Sequence, residues 1–322
     1  MDLIIRQLKK GTHILVATHT HPDGDAIGSL IALGLSLKVL NIDTTLYNES
    51  PIPAVYRFLP DVHRVVRNID NTNYDIAVIL DCSDLDRIGK AASTVKQIPV
   101  IVNIDHHITN THFGHFQLID TSACATSEIV YRLIKQMAIP LDKDIATAIY
   151  TGILADTGSF RFSNTNRASF AICQEMVGLG VNPYNISQHV YGTYSLGRIK
   201  LLNRALDSIE ISRNGKLSIM TLTKDMFLET HTQPEDVDGL INYAKRIEDV
   251  KVAALIQEHY NGNEQSTNSN QFHVSLRSDG SVDVAAIASL FGGGGHSSAA
   301  GFNIESTLSE IKLKIFSLAN KI

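Results

Sequence analysis

The stretch THTHPDGDAIGS, residues 18–29, decides how the first half of the chain is expected to fold. It follows the apolar run His13–Ala17 and leads into Ala26–Leu40, where apolar residues recur at roughly helical spacing. A buried strand, a turn and a helix form the opening unit of a parallel α/β sheet. The turn carries two histidines and two aspartates, and Asp25 is placed to cap the helix. We therefore predict a strand–turn–helix unit whose turn bears metal-capable side chains.

Short β-rich runs alternate with helical patterns throughout the first half of the chain. The predicted strands are 13–17, 44–47, 74–80 and 99–104, and the predicted helices are 26–40, 127–137 and 144–154. This alternation is typical of a mostly parallel sheet with helices on both faces. The predicted fold class is therefore α/β.

The length of 322 residues suits two domains of ordinary size. Helix breakers at Gly178–Asn185 mark the expected boundary. The predicted organisation is an N-terminal domain over 1–187, a helical linker over 188–210 and a smaller C-terminal α/β domain over 211–322. Within the latter we predict a strand near Leu217, a helix over Pro234–Arg246, strands over Val252–His259 and Phe272–Arg277, and a polar loop at 261–270.

The composition indicates a globular protein, with 44% hydrophobic and 19% charged residues. The formal net charge of -5 argues against a protein that coats long nucleic acid, although it allows small anionic substrates. Three cysteines without a CxxC pair suit a reducing compartment. The start of the chain lacks the apolar core of a signal peptide, and the uncharged stretch 26–37 is shorter than the ~20 residues that span a bilayer. We expect a cytoplasmic location and no membrane partner.

Acidic or histidine-bearing segments follow three of the predicted strands: PDGD at 22–25, DCSD at 81–84 and DHH at 105–107. Sites in open α/β sheets form at the carboxyl ends of strands, so these segments should meet. With Asp156 in the turn sequence LADTGSF, the candidate ligands are His19, Asp23, Asp25, Asp81, Asp105, His106, His107 and Asp156.

The candidate ligands mix carboxylates with imidazoles, a combination that suits Mn²⁺, Fe²⁺ or Zn²⁺. Each residue taken singly is more simply a cap, a turn residue or a buried histidine. Their joint occurrence at neighbouring strand ends favours a metal site, and four or more carboxylates exceed the needs of one ion. Two ions about 3.5–4 Å apart would use the set and catalyse in-line displacement at phosphorus. The pattern therefore favours a two-metal phosphoesterase.

A second signal is FGGGGHSSAAGF at 291–302. The glycines Gly292–Gly295 would expose backbone N–H groups to a phosphate, and His296, Ser297 and Ser298 would add donors. The run is neither a Walker A loop nor a dinucleotide-binding fingerprint, and a flexible hinge is the alternative interpretation. Arg277 is the natural anion partner nearby in the sequence.

The motifs HTHPDGDAIGS, DCSD, IDHH, LADTGSF and GGGGHSSAAGF occur together between residues 19 and 302. In this order and spacing the chain resembles the DHH phosphoesterases that carry an associated C-terminal domain, and among them the bacterial bifunctional oligoribonucleases and pAp phosphatases. The resemblance implies hydrolysis of short 5'-phosphorylated oligoribonucleotides to mononucleotides and of pAp to AMP. It also implies an active site in the cleft between the domains.

The same resemblance implies a role for each matching residue. His19, Asp23 and Asp81 would hold one metal ion, while Asp25, Asp81, His106 and Asp156 would hold the other, with Mn²⁺ as the preferred ion. Asp81 would bridge the ions, Asp105 would orient the histidines and His107 would act on the scissile phosphate. The substrate's other phosphate or terminal nucleotide would be bound by Arg277, Gly293, Gly294, Gly295, His296 and Ser297.

The expected partners are short RNA oligonucleotides and nucleotide bisphosphates, without long duplex nucleic acid, and a homodimer is left open. Two alternatives remain. A manganese-dependent inorganic pyrophosphatase shares the N-terminal motifs but would carry a lysine- and arginine-rich motif in its second domain. A non-catalytic nucleotide sensor would have lost a bridging or terminal carboxylate, and none is missing from this sequence.

Overall fold

The computed structural model describes residues 1–69, 73–192, 194–259, 271–319 and 322. The chain divides into two compact units, Met1–Thr193 and Tyr194–Ile322. The first unit ends inside the predicted linker, and the domain bounds given above stay a prediction. The predicted polar loop at 261–270 lies outside the described residues. No helix in the described ranges is both long enough and apolar enough to cross a membrane.

The first unit contains a six-stranded sheet in the order β3-β2-β1-β4-β5-β6, in which every pairing is parallel. Its strands are β1 (His13–Thr18), β2 (Asp43–Tyr47), β3 (Val65–Val66), β4 (Ile76–Leu80), β5 (Val100–Asp105) and β6 (Phe116–Ile119). The four predicted strands correspond to β1, β2, β4 and β5, which confirms the α/β class. The edge strands β3 and β6 were not predicted, because they are short and lack an apolar run.

Helices cover both faces of this sheet. They are α1 (Asp2–Leu8), α2 (Gly24–Val39), α3 (Ala92–Val95), α4 (Thr126–Gln136), α5 (Lys143–Asp156), α6 (Arg167–Gly178) and α7 (Pro183–Tyr191). Ile14 and Val16 of β1 share a core with α2, α4 and α5. Leu15 and Ala17, which alternate with them, pack on the other face with α3 and the 3₁₀ segment Leu85–Ala91. A strand buried on both faces explains the continuous apolar run in its sequence.

Helix α2 begins two residues earlier than predicted, and its cap is Asp23. One carboxylate oxygen of Asp23 accepts hydrogen bonds from the backbone N–H groups of Asp25 and Ala26, each over 3.0 Å. The prediction that Asp25 caps this helix is therefore wrong. Asp25 lies in the first turn of α2 with only 1% of its surface exposed. Its carboxylate is consequently available for contacts with other segments.

Helices α2 and α5 meet with their backbones in close approach. A Cβ atom on Gly28 would lie 2.6 Å from the carbonyl oxygen of Ala148 and 2.9 Å from the amide nitrogen of Gly152. Only glycine fits at such a contact, because any side chain would collide with backbone atoms that cannot rotate away. This contact brings the first turn of α2, with Asp25, beside the last turn of α5, with Asp156.

The second unit has a six-stranded sheet in the order β11-β12-β10-β9-β8-β7, in which only β8 and β9 run parallel. Its strands are β7 (Glu210–Ile211), β8 (Leu217–Leu222), β9 (Val252–Glu258), β10 (Gln271–Ser278), β11 (Gly294–His296) and β12 (Ala299–Glu305). Its helices are α8 (Leu196–Asp207), α9 (Lys224–Thr230), α10 (Ile241–Lys245), α11 (Val284–Ser289) and α12 (Leu308–Leu318).

The helix predicted over Pro234–Arg246 is wrong as a single element. The chain forms a 3₁₀ turn at Pro234–Val237 and then the short helix α10. Between them Gly239 has a φ of 80°, a left-handed conformation that interrupts a right-handed helix. The apolar spacing across 234–246 reflects burial of both pieces and does not require one continuous helix.

Candidate metal centre

The register of the first sheet aligns the ends of three neighbouring strands. Thr18 of β1 pairs with Leu80 of β4, and Leu80 pairs with Ile104 of β5. The residues that follow these strand positions are His19, Asp81 and Asp105. The parallel pairing therefore places the three predicted polar clusters at one edge of the sheet, as their sequence positions indicated.

Asp81 lies at the middle of this edge, with 1% of its surface exposed. Its Oδ2 is 3.5 Å from Nε2 of His19, and its Oδ1 is 3.7 Å from Nε2 of His106. The two oxygens thus face different imidazoles. Burial opposes ionisation of Asp81, but the neighbouring histidines outweigh it, and the pKa of Asp81 lies far below its ordinary value. Its backbone has a φ of 57°, a left-handed conformation that ends the extended strand at Leu80.

The first candidate ligand group consists of His19, Asp23 and Asp81, whose ligand atoms all lie within 4.8 Å of one another. Nδ1 of His19 is 2.8 Å from the carbonyl oxygen of Thr20. A ring nitrogen that donates to a carbonyl leaves the other nitrogen with its lone pair, so Nε2 is the ligand atom on the side of Asp81. Burial lowers the pKa of His19, but Asp81 and Asp23 outweigh it and the net shift is upward.

The second candidate group consists of Asp25, His106 and Asp156, again within 4.8 Å. Nε2 of His106 is 3.7 Å from Oδ2 of Asp156. Burial, followed by repulsion from Asp81, raises the pKa of Asp25 to about 7. Burial lowers the pKa of His106, but the surrounding carboxylates, Asp81 foremost, raise it to about 9. Burial and the charge of Asp25 raise the pKa of Asp156 as well. The two carboxylates of this group carry more negative charge than its single imidazole can balance.

Asp105 and His107 form a pair beside these groups. Oδ1 of the completely buried Asp105 is 2.6 Å from Nδ1 of His107 and also accepts a hydrogen bond from the backbone N–H of His106 over 2.8 Å. Its Oδ2 accepts one from Nδ2 of Asn110 over 2.6 Å. Burial raises the pKa of Asp105, but His107 outweighs it and the net shift is downward. Asp105 is thus fixed by contacts to the segment that carries both histidines.

Sequence reasoning missed three residues that support the site. Thr126 donates its hydroxyl to Oδ1 of Asp81 over 3.0 Å. Asn110 joins the backbone carbonyl of Cys82 to Asp105. Nδ2 of Asn164 contacts both the carbonyl and the carboxylate of Asp156, over 3.1 and 3.0 Å. Asn110 and Asn164 lie close in sequence to the DHH and LADTGSF motifs, which was the only hint of their contacts. Thr126 carried no such hint, because its partner Asp81 is 45 residues away in the chain.

The glycine run in the second unit differs from the open cradle that was predicted. Gly294–His296 forms the edge strand β11, and Gly295 pairs with Ala300 of β12. A Cβ atom on Gly295, whose φ is 143°, would lie 2.6 Å from Cα of Ala300. The run is therefore part of a hairpin that ends at Ser297 and Ser298. A Cβ atom on Gly294 would have open space among the described atoms, whereas Gly293 precedes the strand and packs against β12.

Arg277 lies on β10, opposite Ala299 of β12. Its Nη1 donates to the carbonyl oxygen of Leu276 over 3.0 Å, and burial lowers the pKa of its guanidinium. His296 pairs with the same Ala299 from the other side. The structure thus brings Arg277 and the end of the glycine strand onto nearby strands of one sheet, with β12 between them.

The donor set fits divalent cations. Asp23, Asp25, Asp81 and Asp156 offer carboxylate oxygens within neighbouring groups that also include His19 and His106. Buried carboxylates that repel each other need positive charge nearby, and a bound cation supplies it locally. A third group, Asp81, His106 and His107, also has ligand atoms within 4.8 Å of one another. Asp81 therefore lies in a group with His19 and in a group with His106, which is the arrangement expected for two ions that share a ligand.

The fold and this site define the class: an α/β protein with a buried carboxylate–imidazole centre at the carboxyl edge of a parallel sheet. Residues 13–153 match the DHH family, N-terminal domain, and residues 216–320 match the DHHA1 domain. The chain belongs to the DHH family.

Two of the following three known proteins are similar to nearly the whole chain, and the third is similar to about half of it. The bifunctional oligoribonuclease and PAP phosphatase NrnA of Thermus thermophilus is 31% identical over 91% of this chain and 84% of its own length. A crystal structure of an exopolyphosphatase-related protein from Bacteroides fragilis has a TM-score of 0.90 at 27% identity, covering 99% of this chain and 94% of that one. A probable manganese-dependent inorganic pyrophosphatase of Streptococcus thermophilus is 24% identical over 56% of this chain and 60% of its own length.

Proposed function

We propose that this protein is a metal-dependent phosphoesterase that hydrolyses short 5'-phosphorylated oligoribonucleotides to mononucleotides and removes the 3'-phosphate of pAp to give AMP. The observation that carries the proposal is the position of Asp81, whose two oxygens face His19 on one side and His106 on the other. A carboxylate shared in this way suits two cations and the phosphoryl chemistry that paired cations support. The similarity to NrnA along nearly the whole chain supports the substrate class.

We assign the ligands in two sets. His19, Asp23 and Asp81 would hold one cation, and Asp25, Asp81, His106 and Asp156 would hold the other. Bound divalent cations lower the pKa of a coordinated water and offset negative charge on phosphoryl oxygens. Mn²⁺ is the ion we expect, because the ligands mix imidazole with carboxylate, whereas Mg²⁺ prefers oxygen ligands.

The chain's own residues would perform the remaining steps. Asp105 holds the ring of His107 through Nδ1, which fixes the direction of the imidazole. His107 would then donate a hydrogen bond or a proton to a phosphoryl or leaving oxygen. Asp81 remains ionised, since its pKa is low. This carboxylate would keep its charge over the whole pH range in which the enzyme works.

In the second unit Arg277 would bind the substrate's second phosphate or its terminal nucleotide. A guanidinium offers a planar pair of N–H donors that matches two phosphate oxygens. The expectation that Gly292 and Gly293 offer free donors is wrong, because their backbone N–H groups donate to the carbonyl oxygens of Ser289 and Ala288 over 3.1 and 3.0 Å. We therefore assign the rest of that subsite to Gly294 and Gly295, with His296 and Ser297, at the edge strand.

The first experiment is to measure product release with Mn²⁺ from three separate substrates: a 5'-phosphorylated RNA dinucleotide, pAp and pyrophosphate. We expect mononucleotides from the dinucleotide, AMP and phosphate from pAp, and little hydrolysis of pyrophosphate. Hydrolysis of pyrophosphate alone would replace this proposal with the pyrophosphatase alternative. Binding of nucleotide with two metal ions but without product would indicate a non-catalytic sensor.

The variant Asp81→Asn tests the shared ligand directly. Removing the negative charge of Asp81 should abolish binding of one cation. The value of kcat should then fall by about 10³-fold or more, because metal-assisted phosphoryl transfer depends on that cation. Asp86→Asn is the matched control, because Asp86 is exposed and pairs with Lys96 at the surface, over 2.9 Å. Equal activity of the two variants would contradict the two-metal assignment.

A further inference from the structure

Thr126, the first residue of α4, contacts two carboxylates that come from different parts of the chain. Its backbone N–H donates to Oδ2 of Asp25 over 2.6 Å. Its hydroxyl donates to Oδ1 of Asp81 over 3.0 Å. The side chain is completely buried, so water does not compete for either contact. One residue therefore connects Asp25, at the start of α2, with Asp81, at the end of β4.

We propose that Thr126 is a positioning residue that fixes the distance between Asp25 and Asp81, and that its hydroxyl sets the affinity of one of the two cation sites. This inference rests on the proposed two-metal function. It concerns a residue that belongs to neither ligand set.

The hydroxyl matters because of what else faces Oδ1 of Asp81. The nearest ring nitrogens of His106 and His107 are 3.7 and 3.6 Å away, which is longer than a hydrogen bond. Within the described part of the chain, Thr126 is the donor that reaches this oxygen at hydrogen-bond distance. Without it, the Asp81 carboxylate would lose the contact that fixes its rotation on this side.

The position of Thr126 on a rigid element makes it suited to this role. The helix α4 that it begins is buried along the face that includes Ile129, Val130 and Leu133. The next residue, Ser127, donates its backbone N–H to the other oxygen of Asp25 over 2.8 Å. Two backbone amides of α4 therefore hold Asp25 in place. The hydroxyl of Thr126 joins the same end of α4 to Asp81. Groups that orient ligands in this way typically change metal affinity by about 10–100-fold.

The contact should influence the two cation sites unequally. Oδ1 of Asp81 faces His106, in the set with Asp25 and Asp156, whereas Oδ2 faces His19. Loss of the Thr126 hydroxyl should therefore weaken the cation held by the Asp25, His106 and Asp156 side. The cation held by His19 and Asp23 should be affected much less.

The test is a calorimetric titration of Mn²⁺ into the metal-free full chain, comparing the natural protein with Thr126→Val and Thr126→Ser. Valine keeps the shape of the side chain and the backbone N–H but lacks the hydroxyl. Serine keeps the hydroxyl and lacks only the methyl group. We expect two ions in the natural protein, a weakening of one of them by about 10–100-fold in Thr126→Val, and near-natural binding in Thr126→Ser.

Thr151→Val is the matched control. Thr151 is also completely buried, but its hydroxyl donates over 2.8 Å to the carbonyl of Thr147 within α5. This variant loses the same group without loss of a contact to Asp81, so both ions should bind normally. Should Thr126→Val fail to fold by circular dichroism, Thr126→Ala takes its place in the comparison.

The outcomes separate this inference from the proposed function. Fewer than two ions in the natural protein would contradict the two-metal proposal itself. Two ions in the natural protein and unchanged affinities in Thr126→Val would overturn only the role of Thr126. Equal weakening in the valine and serine variants would also overturn it, because the hydroxyl would then not be the cause.

Discussion

Nδ1 of His107 lies 2.6 Å from Oδ1 of Asp105, a carboxylate with no exposed surface. His106, which lies between them in the chain, donates its backbone N–H to the same oxygen. A buried carboxylate with several donors keeps its charge and holds its partners in place. This pair thus connects the fold of the DHH segment to the direction of the His107 ring.

Asp105→Asn should lower kcat by about 10–100-fold while both cations still bind, because Asp105 acts through His107. Asparagine offers one carbonyl oxygen where three donors need acceptors, so its NH₂ group must face a donor. The measurement is kcat together with Mn²⁺ stoichiometry. In a double-mutant cycle with His107→Ala, the second change should add little. Fully additive losses would contradict this dependence.

Gly28→Ala should destabilise the protein by about 1–3 kcal/mol, since the new methyl group would lie 2.6 Å from the carbonyl oxygen of Ala148. Chemical denaturation at fixed metal concentration measures this change. Gly178→Ala is the control: a Cβ atom there has open space, and alanine favours a helix over glycine. A destabilisation no greater than that of the control would mean that α2 and α5 separate easily.

The metal-free protein should lose stability as the pH rises from about 4 to about 9. The pKa of Asp25 is raised to about 7 in the folded state, so the fold binds this proton more tightly than the unfolded chain does, and the advantage disappears as the pH passes from about 4 to 7. The pKa of His106 is raised to about 9, and its contribution is complete below about 6.5 and is lost as the pH approaches 9. The pKa of Asp81 is lowered, so this residue adds a constant amount to the free energy of unfolding over the same pH range.

Thermal unfolding of the metal-free chain from pH 5 to 9 measures this trend. Mn²⁺ should stabilise the protein more at pH 8 than at pH 6, because the same protons must leave before the cations bind. Asp25→Asn should flatten the acidic half of the profile. Stability that increases steadily from pH 5 to 9 in the absence of metal would contradict the sign of these shifts.

Arg277→Gln should raise KM for pAp by about tenfold or more, with Mn²⁺ stoichiometry unchanged, because a charged bidentate contact is replaced by a neutral amide. Arg277→Lys should recover only part of the loss, since lysine lacks the planar pair of donors. Arg213→Gln, at an exposed position of the same unit, provides the control. An unchanged KM would remove Arg277 from the proposed subsite.

Local sequence patterns predicted much of the fold. The four longer parallel strands and the helices α2, α4 and α5 follow from apolar spacing and strand-length runs, which are properties of neighbouring residues. The helix expected over Pro234–Arg246 is broken at Gly239, where a left-handed backbone overrides the apolar pattern. The glycine run became the edge strand β11, because its pairing with β12 is a contact that composition does not encode.

The sequence by itself determined the α/β class and the candidate ligands, because strand-end positions in a parallel sheet necessarily converge at one edge. The tertiary structure decided which atoms of distant segments face each other: Asp25 reaches α4, and Thr126 reaches Asp81. Asp25 and Thr126 are 101 residues apart in the chain. Such contacts depend on how complete elements pack, and here α2 and α4 share one hydrophobic core although they are distant in the chain.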